Sequence, residues 1–306
     1  MEADPRDTEP GPSGLRYRAA PGGRCWFHHR MIVIPMRSYT NHLKISVFGL
    51  GLFLALGSAL TVISTPAGLA ADAARELVAS ARWLHFPVKR GAPERAVTIK
   101  SKGVADYRFE IELADDGADW WAPMDLSRWQ GQPITVSVHQ LPEASKALAL
   151  LRLSNEIVGA QSMYREPLRQ QFHFSAKRGW NNDPNGLAFY KGEYHLFFQH
   201  NPYGWDWGNM HWGHAASRDL IHWREHGDVL YPDDMGPMFS GSAVVDWNNT
   251  SGFGTSANPP LVLIYTAAGK PATQCLAFSI DGRIFTKYSG NPILNQITEG
   301  NRDPKV

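Results

Sequence analysis

The feature that most constrains the fold of this chain is a series of short runs in which apolar and polar residues alternate. Between Trp83 and Ser279 these runs are six to ten residues long, and turns rich in Gly, Pro, Asn and Asp separate them. Alternation with a period of two is typical of half-buried β-strands, and no long helical period appears after Phe172. The sequence therefore predicts an all-β protein.

The first group of runs, within residues 72–150, predicts a small β-sandwich-like domain. Residues 72–82 are expected to form a short helix or a linker, and 143–152 is a candidate helix. Residues 151–171 are polar and irregular and are predicted to be a linker. No catalytic side chains gather in this region, which favours a structural or accessory role. The expected strands are "WLHFPV", "AVTIKS", "YRFEIEL", "WWAPMDL" and "PITVSVHQL".

The second group, residues 172–306, predicts successive blades of a β-propeller. "GLAFYKGEYHLFFQ" has the pattern of a hairpin. A weak repeat relates "SRDLIHW" from Ser217 to "SIDGRIF" from Ser279, because each has Ser-x-Asp followed by an aromatic residue. Their spacing suits one four-stranded blade with a long loop, so we expect two blades and the start of a third. Further strands are expected at "MHWGHAAS", "MFSGSAVVDW", "PLVLIYTA" and "QCLAFS".

An uncharged stretch of twenty residues, Ile45–Ser64, follows Arg37 and Lys44 and is followed by small residues up to Ala70. A basic start, an apolar centre and a small-residue end are the layout of a secretory signal. We predict that residues 36–71 are a cleavable signal peptide and that the protein is secreted or periplasmic. A retained membrane anchor is the alternative, because the apolar stretch is long enough to span a bilayer.

The start of the chain and its cysteines add two expectations. Residues 1–35 are rich in Pro, Gly and Arg and are predicted to be unstructured, an over-extended start with Met31 and Met36 as alternative first residues. Cleavage of the signal would remove Cys25 and leave Cys275, which lies in an alternating strand and is expected to be a buried small hydrophobe.

Charge excludes one class of partner. The chain has 30 Lys plus Arg against 29 Asp plus Glu, a net charge of +1. No basic field is available to hold a nucleic acid backbone, so no nucleic acid partner is expected.

Four motifs carry the chemistry: "WNNDPNG" (180–186), "FFQHNPYGWDWGNMHWGH" (197–214), "FSGSAV" (239–244) and "NRDP" (301–304). Asn, Asp, Pro and Gly are also the ordinary residues of a tight turn, so the first motif alone proves little. Asp183 begins the first predicted blade and Asp303 the third. Because the innermost strands of a propeller line its channel, we expect both carboxylates to face one axial pocket. Two convergent carboxylates with amides and tryptophans nearby are the equipment of a glycosidase.

Taken together, the motifs resemble glycoside hydrolase family 32, the invertases, levanases and inulinases that cleave β-fructofuranosides. The family pattern W-[MIL]-N-D-P-N-G, a glutamine before "NP", "WG…WGH", "FSGS" and "RDP" is matched in order over residues 172–304. Asn181 departs from it, since an apolar residue is commoner there. The resemblance implies a five-bladed propeller, a retaining mechanism through a fructosyl-enzyme, a fructan or sucrose substrate and no cofactor.

The resemblance also implies roles for individual residues. Asp183 would be the nucleophile. Asp303 would hold sugar hydroxyls and stabilise the oxocarbenium-like transition state without transferring protons. The residues expected to bind or wall the sugar are Trp180, Asn182, Gln199, Trp207, Phe239, Ser240 and Arg302. Without the other motifs, Arg302 and Asp303 would be read as a surface ion pair and Trp207 as a core residue.

Histidines are frequent in the blade region, but we expect no metal. On a strand, His211 and His214 would point to opposite faces because their separation is odd. Zinc sites need three or four converging ligands. The histidines weighed are His195, His200, His211, His214, His222 and His226.

The general acid is the part of the resemblance that the sequence does not match. The family's glutamate belongs to a Glu-Cys motif beyond "RDP", and neither Glu299 nor the stretch around Cys275 corresponds to it. We therefore expect the sequence to be a C-terminal truncation that is inactive in hydrolysis and prone to aggregation. A fructosyltransferase on the same scaffold and a non-catalytic fructan-binding protein are the alternative functions.

Overall fold

The computed structural model describes residues 70–306, which are almost entirely β-structure. The predicted segments 1–35 and 36–71 lie outside the described residues, except for the last two positions. No helix within 70–306 has the length and hydropathy that a membrane crossing requires. The strands are β1 (Ala71–Val78), β2 (Trp83–Val88), β3 (Glu94–Ser101), β4 (Val104–Glu112), β5 (Trp120–Asp125), β6 (Pro133–Leu141), β7 (Arg152–Ser154), β8 (Trp180–Tyr190), β9 (Glu193–Asn201), β10 (His211–Ser217), β11 (Trp223–Leu230), β12 (Met238–Val245), β13 (Leu261–Ala267), β14 (Thr273–Ser279) and β15 (Thr286–Lys287).

The N-terminal strands form two antiparallel sheets with an apolar core. One sheet has the order β1-β6-β3-β4 and the other the order β5-β2-β7. Strands β3 and β4 alternate buried and exposed residues, so that Val97, Ile99, Phe109 and Ile111 all point into the core, which also holds Trp129. The small sandwich predicted from the alternating runs is therefore confirmed.

Two local predictions in this region are wrong. Residues 72–82 are not a helix or linker, because Ala71–Val78 is strand β1 and pairs with β6. Its Ala, Arg and Glu residues favour helix, but pairing along the edge of the sheet overrides that preference. The candidate helix at 143–152 is reduced to a single turn, α1 (Ala147–Leu150), and Arg152–Ser154, at the start of the predicted linker, pairs with β2.

The second half of the described chain forms two four-stranded blades of a β-propeller. Blade 1 has the order β11-β10-β9-β8 and blade 2 the order β12-β13-β14-β15, so each is a meander of sequential strands. The two first strands, β8 and β12, contact each other. The predicted all-β propeller is confirmed. Residues 288–306 contribute one isolated bridge, Leu294 to Gln274, and no strand of a third blade; the number five stays a prediction.

The weak sequence repeat is confirmed as a structural repeat. In blade 1 the hydroxyl of Ser217 accepts the N–H of Leu220 at 2.8 Å. A carboxylate oxygen of Asp219 accepts the N–H groups of Ile221 and His222. In blade 2 Ser279 and Asp281 make the same bonds with Gly282, Arg283 and Ile284. Ser-x-Asp thus closes the turn from the third to the fourth strand of each blade.

Candidate active site

Asp183 lies in a β-bulge of β8, the first strand of blade 1. Asn181 pairs with His200 and Pro184 pairs with Phe198, so that Asn182 and Asp183 together face a single residue of β9. A bulge re-aims side chains that a regular strand would turn to the other face. The Asp183 side chain is accordingly exposed although its strand is paired. The turn-like composition of "WNNDPNG" therefore encodes an irregular strand that presents a carboxylate.

Gly186 explains why the same motif ends in glycine. Its φ is +53°, in the left-handed region. A Cβ at this position would lie 2.8 Å from Phe197 Cδ2 and 3.1 Å from the Cβ of Ala243 on β12. A side chain would thus be strained by the backbone and would also separate the two blades.

Ser240 contacts Asp183 directly. The Ser240 hydroxyl donates to Asp183 Oδ2 at 2.9 Å. Ser240 is itself a bulge residue of β12, because Phe239 pairs with Thr266 while Gly241 pairs with Tyr265. Two bulges on neighbouring inner strands thus bring together residues that are 57 positions apart. This contact unites two of the sequence-predicted motifs.

The segment that enters β8 is fixed by a buried, charged histidine. His200 Nδ1 donates to Asp228 Oδ1 at 2.6 Å and His200 Nε2 donates to the carbonyl of Arg178 at 2.9 Å. Burial alone would lower the pKa of His200, but the Asp228 carboxylate and these hydrogen bonds raise it to about 9. Trp180 Nε1 then donates to Asn182 Oδ1 at 2.9 Å, inside the motif.

Gln199 and the two aromatic residues occupy different kinds of position. Gln199 is 2% exposed, and its amide donates to the carbonyl of Met238 at 2.9 Å, so it joins β9 to the start of β12. Trp207 is 59% exposed and packs edge-on against Phe239, with ring centroids 5.8 Å apart. Trp207 is therefore not a core residue. It contacts Phe239, the residue that precedes Ser240 on β12.

Asp303 is held by the second blade. Its N–H donates to Thr266 Oγ1 at 3.0 Å, and its φ is +59°, a left-handed conformation that Asp tolerates better than most residues. Arg302 Nε lies 3.4 Å from Asp303 Oδ2, and both side chains are largely exposed. An exposed pair of neighbours contributes little to stability, so its value lies in the position of the charges. A hydrogen bond from Ser240 thus connects Asp183 to β12, and a hydrogen bond to Thr266 connects Asp303 to the adjacent strand β13.

Three supporting residues were not identified from the sequence. Thr266 is fully buried, receives the Asp303 N–H and donates to Gln274 Oε1 at 2.7 Å. Ser242 donates to the carbonyl of Pro304 at 2.9 Å. Asn185 Oδ1 accepts the Gly241 N–H at 3.3 Å, across the two inner strands. The signals available were a lone hydroxyl in the apolar run "PLVLIYTA" and the second serine of "FSGS".

The histidines are distributed over separate contacts. His211 Nε2 lies 2.6 Å from the Tyr107 hydroxyl, whereas His214 Nε2 lies 2.9 Å from His195 Nδ1. Burial lowers the pKa of His211 to about 4 and that of His214 well below its usual value. His222, in contrast, is exposed beside Asp219. Within residues 70–306, no group of three or more His, Cys, Asp or Glu side chains has an arrangement that could hold a metal ion.

Comparison with known proteins agrees with this geometry. Residues 173–306 match the sequence model of the glycosyl hydrolases family 32 N-terminal domain. This part of the chain therefore resembles the N-terminal domain of that family.

Characterised relatives resemble the same part of the chain. A levanase of Bacillus subtilis is 54% identical over 148 residues, which are 47% of this chain and 22% of the levanase. An extracellular exo-inulinase of Aspergillus niger is 46% identical over 152 residues, 43% of this chain and 28% of the inulinase. An invertase of Schwanniomyces occidentalis is 47% identical over 154 residues, 47% of this chain and 28% of the invertase. The chain thus spans less than a third of each of these relatives.

Proposed function

We propose that this protein cleaves β-fructofuranosidic bonds, in levan, inulin or sucrose, by a retaining mechanism in which Asp183 is the nucleophile. The observation that carries the proposal is the presentation of Asp183 by a bulge on the first strand of blade 1, with Ser240 holding one carboxylate oxygen. The names of the relatives, levanase, exo-inulinase and invertase, support the substrate class.

The chemistry follows from the position of the two carboxylates. Because Ser240 donates to Oδ2 of Asp183, Oδ1 is the oxygen that attacks the anomeric carbon of the fructosyl unit. The glycosidic bond breaks, its electron pair stays on the leaving oxygen, and that oxygen takes a proton from a general acid. Water then hydrolyses the fructosyl ester, releases fructose and restores the carboxylate of Asp183.

Asp303 acts on the sugar without transferring a proton. Its backbone is fixed by Thr266, so its carboxylate has a defined place beside β13. There it would accept hydrogen bonds from the sugar hydroxyls and stabilise the positive charge of the transition state, with Arg302 holding its orientation. Trp180, Asn182, Trp207, Phe239 and Ser240 would form the walls of the sugar pocket, and Gln199 would support them from below.

We also propose that the protein acts outside the cytoplasm. The apolar stretch Ile45–Ser64 supports export, and two of the relatives are named extracellular exo-inulinases. Mass spectrometry of the protein recovered from culture medium tests this, because a new N-terminus near Ala70 is expected. Recovery only with cell membranes and with an uncleaved N-terminus would support an anchor instead.

The nucleophile is tested with a substrate whose leaving group needs no protonation, so that the identity of the general acid does not affect the result. The full chain is incubated with an activated fructosyl donor such as a fructosyl fluoride, quenched in acid and analysed by peptide mass spectrometry. We expect a fructosyl adduct on the peptide that contains Asp183. Asp183→Asn is expected to remove the adduct and to lower donor consumption by about 10⁴-fold or more, the scale seen when an enzyme loses its nucleophile.

Asp234→Asn is the matched control, since Asp234 is an exposed carboxylate in the turn before β12. This variant should label like the parent chain. Persistence of the adduct in Asp183→Asn would show that another residue is the nucleophile. Products measured at high sucrose separate the two enzyme classes: free fructose supports hydrolysis, and longer oligosaccharides would show transfer.

A further inference from the structure

The loop that carries Trp207 is one segment through which the N-terminal sandwich contacts the candidate site; Arg178, before β8, is another, because its guanidinium donates to the carbonyl of Trp121 at 3.4 Å. The loop joins β9 to β10 and spans residues 202–210, and we call it the Trp207 loop. Four residues in or beside this loop contact the sandwich, mostly on strand β4. Trp207 packs on Phe239 of blade 2, and the carbonyl of Met210 accepts the N–H of Met238 at 2.9 Å.

Tyr203 is part of the sandwich core. Its ring stacks on Phe109 of β4 with centroids 4.1 Å apart, and its hydroxyl lies 2.9 Å from that of Tyr107. Tyr203 is 3% exposed and belongs to the same apolar cluster as the sandwich residues. The start of the Trp207 loop is therefore fixed by a different domain from the one that carries the carboxylates.

Trp205 makes the second attachment. Its indole N–H donates to Glu112 at the end of β4, and its ring packs against Trp120 with centroids 5.9 Å apart. Aromatic pairs of this kind add to the energy of burial, and the indole N–H has its partner. Trp205 thus holds the residues immediately before Trp207.

Asn209 makes the third attachment, which we call the Asn209 clasp. Its side-chain amide accepts the N–H of Glu110 at 2.8 Å and donates to the carbonyl of Glu110 at 2.8 Å. Glu110 lies on β4, the edge strand of its sheet, so Asn209 pairs with backbone groups that would otherwise face solvent. Asn209 also donates to Asn201 Oδ1 at 3.0 Å, which ties both ends of the loop together.

We propose that strand β4 of the N-terminal sandwich positions Trp207 through the Asn209 clasp, and that Asn209 is a positioning residue for fructan binding. This rests on the proposed function, in which Trp207 is a wall of the sugar pocket. The sandwich would then contribute to the site by holding Trp207 in place. Loss of the clasp removes the attachment that follows Trp207 most closely and leaves Met210 and His211 as the next fixed residues. The Trp207 ring would then no longer occupy one position beside Phe239.

Blade 2 contains a matched control. Asn249 accepts the N–H of Gly254 at 2.8 Å and donates to the carbonyl of Gly254 at 3.0 Å, so it makes the same two-bond clasp in the loop after β12. Asn209 and Asn249 also share a positive φ, 42° and 51°. Substitution of either by Gly preserves the backbone conformation and removes the clasp, and at position 209 it also removes the bond to Asn201.

The binding test uses the full chain carrying Asp183→Asn, so that substrate is not consumed. Dissociation constants for sucrose and for a short levan oligosaccharide are measured by calorimetry. Asn209→Gly is expected to weaken binding about tenfold, the equivalent of losing one or two net hydrogen bonds. Asn249→Gly should bind like the parent chain. Equal weakening by both variants would show a general loss of stability and would overturn the proposal.

A double-mutant cycle tests whether Asn209 acts through Trp207. If it does, Asn209→Gly added to Trp207→Ala should weaken binding no further than Trp207→Ala alone. Additive effects would overturn the proposal, because they would show that Asn209 acts on the sugar by another route.

A measurement without sugar separates this inference from the proposed function. The chain is labelled with fluorotryptophan, and the Trp207 resonance is assigned by its absence in Trp207→Phe. Asn209→Gly should shift or broaden that resonance, and Asn249→Gly should not. An unchanged resonance would overturn the positioning role even if fructan binding were established. A changed resonance in a chain that binds no fructan would leave the role of Asn209 intact and contradict the proposed function.

Discussion

The two blades have the same topology and the same Ser-x-Asp turn, but their interiors differ. Blade 1 buries many polar side chains, whereas β13 of blade 2 is buried throughout and is apolar except for Thr266. Residues 238–306 contain no histidine. The buried polar residues of blade 1 are Asn185, His195, Gln199, His200, Asn201, His211, His214 and Ser217.

The difference corresponds to what each blade contacts. Blade 1 meets the sandwich through His211, holds the entry to β8 through His200, and reaches β12 through Gln199. Each of these contacts requires a directed hydrogen bond, because an apolar side chain would leave a buried carbonyl or hydroxyl without a partner. Blade 2 uses fewer buried polar side chains; it supports Asp303 through Thr266, which donates to Gln274, and it bonds the Pro304 carbonyl through Ser242. Blade 1 therefore has a polar interior because it makes directed contacts with several other parts of the molecule.

Between the blades, the contributions are again unequal. The shared apolar cluster takes large side chains from blade 1, including Tyr190, Phe197 and Trp212, and mostly aliphatic or small ones from blade 2, such as Leu263 and Ala277. Trp212 also donates its indole N–H to the carbonyl of Phe239 at 3.0 Å. We infer that blade 1 supplies most of the interface that holds β12 against β8.

The largest expected effect breaks this interface. Trp212→Ala removes a fully buried indole and leaves the Phe239 carbonyl without its donor. The free energy of unfolding should fall by about 3–5 kcal/mol, as measured by chemical denaturation of the full chain. Trp247→Ala is the control in blade 2, since Trp247 is 64% exposed and its loss should change stability by about 0.5 kcal/mol or less. Equal losses from both variants would contradict an interface dominated by blade 1.

Much of the fold could be predicted because its signal is local. The strands Trp83–Val88 and Pro133–Leu141 have the bounds that the sequence indicated, since alternation and flanking turns define them. Strand β11, "WREHGDVL", was not predicted, because its charged residues hide the period. There Glu225 is half-buried and accepts the N–H of Lys177 at 2.7 Å, a contact with a partner 48 residues away.

The candidate site divides in the same way. The motifs predicted which residues would gather, and the Ser240–Asp183 contact joins two of them. The bulges that aim these side chains, the buried position of Gln199 and the hold of β4 on the Trp207 loop could not be predicted. Each depends on pairing between distant segments, such as Glu110 with Asn209, and no local pattern records such a pairing.

The buried histidines of blade 1 make a prediction of intermediate size on how stability depends on pH. His200 has a pKa of about 9, above the value of about 6.5 expected when unfolded, so its contribution is complete below pH 6.5 and is lost as pH rises towards 9. His211 has a pKa of about 4, so unfolding takes up protons, and stability falls, as pH drops from 6.5 to 4. The His200 limb should span about 3 kcal/mol, and His211 should supply about 3 kcal/mol of the acid limb, to which His214 and His226 add because their pKa values are also lowered.

Unfolding of the full chain measured from pH 4 to pH 9.5 tests these two limbs. His200→Asn should flatten the alkaline limb, and His211→Asn should make the acid limb shallower without removing it, because His214 and His226 remain. His222→Gln should change neither, because His222 is exposed. An alkaline limb that persists in His200→Asn would show that the Asp228 pair is not its source.

The smallest expected effect comes from the repeated turn. Leu220 and Gly282 hold the same position, three residues after the serine, with φ of 65° and 71°. A left-handed conformation costs a residue such as leucine about 1–2 kcal/mol, which Leu220→Gly would relieve, less the entropy that glycine loses on folding. Leu220 is exposed and its carbonyl, which accepts from Trp223, is retained. A gain of up to about 1 kcal/mol is expected.

Gly282→Ala should do the opposite in blade 2. The new Cβ would lie 2.9 Å from His195 Cε1 and 3.2 Å from Tyr190 Cδ1, and its backbone would also be strained. A loss of about 1–3 kcal/mol is expected from overpacking. Denaturation midpoints of both variants, measured beside the parent chain, check the signs. Because His195 belongs to blade 1, the loss also shows that the turn of blade 2 packs on blade 1. A gain in stability for Leu220→Gly and a loss for Gly282→Ala would show that the two turns have the same backbone conformation but different packing neighbours. A gain in both variants would refute the close contact at Gly282.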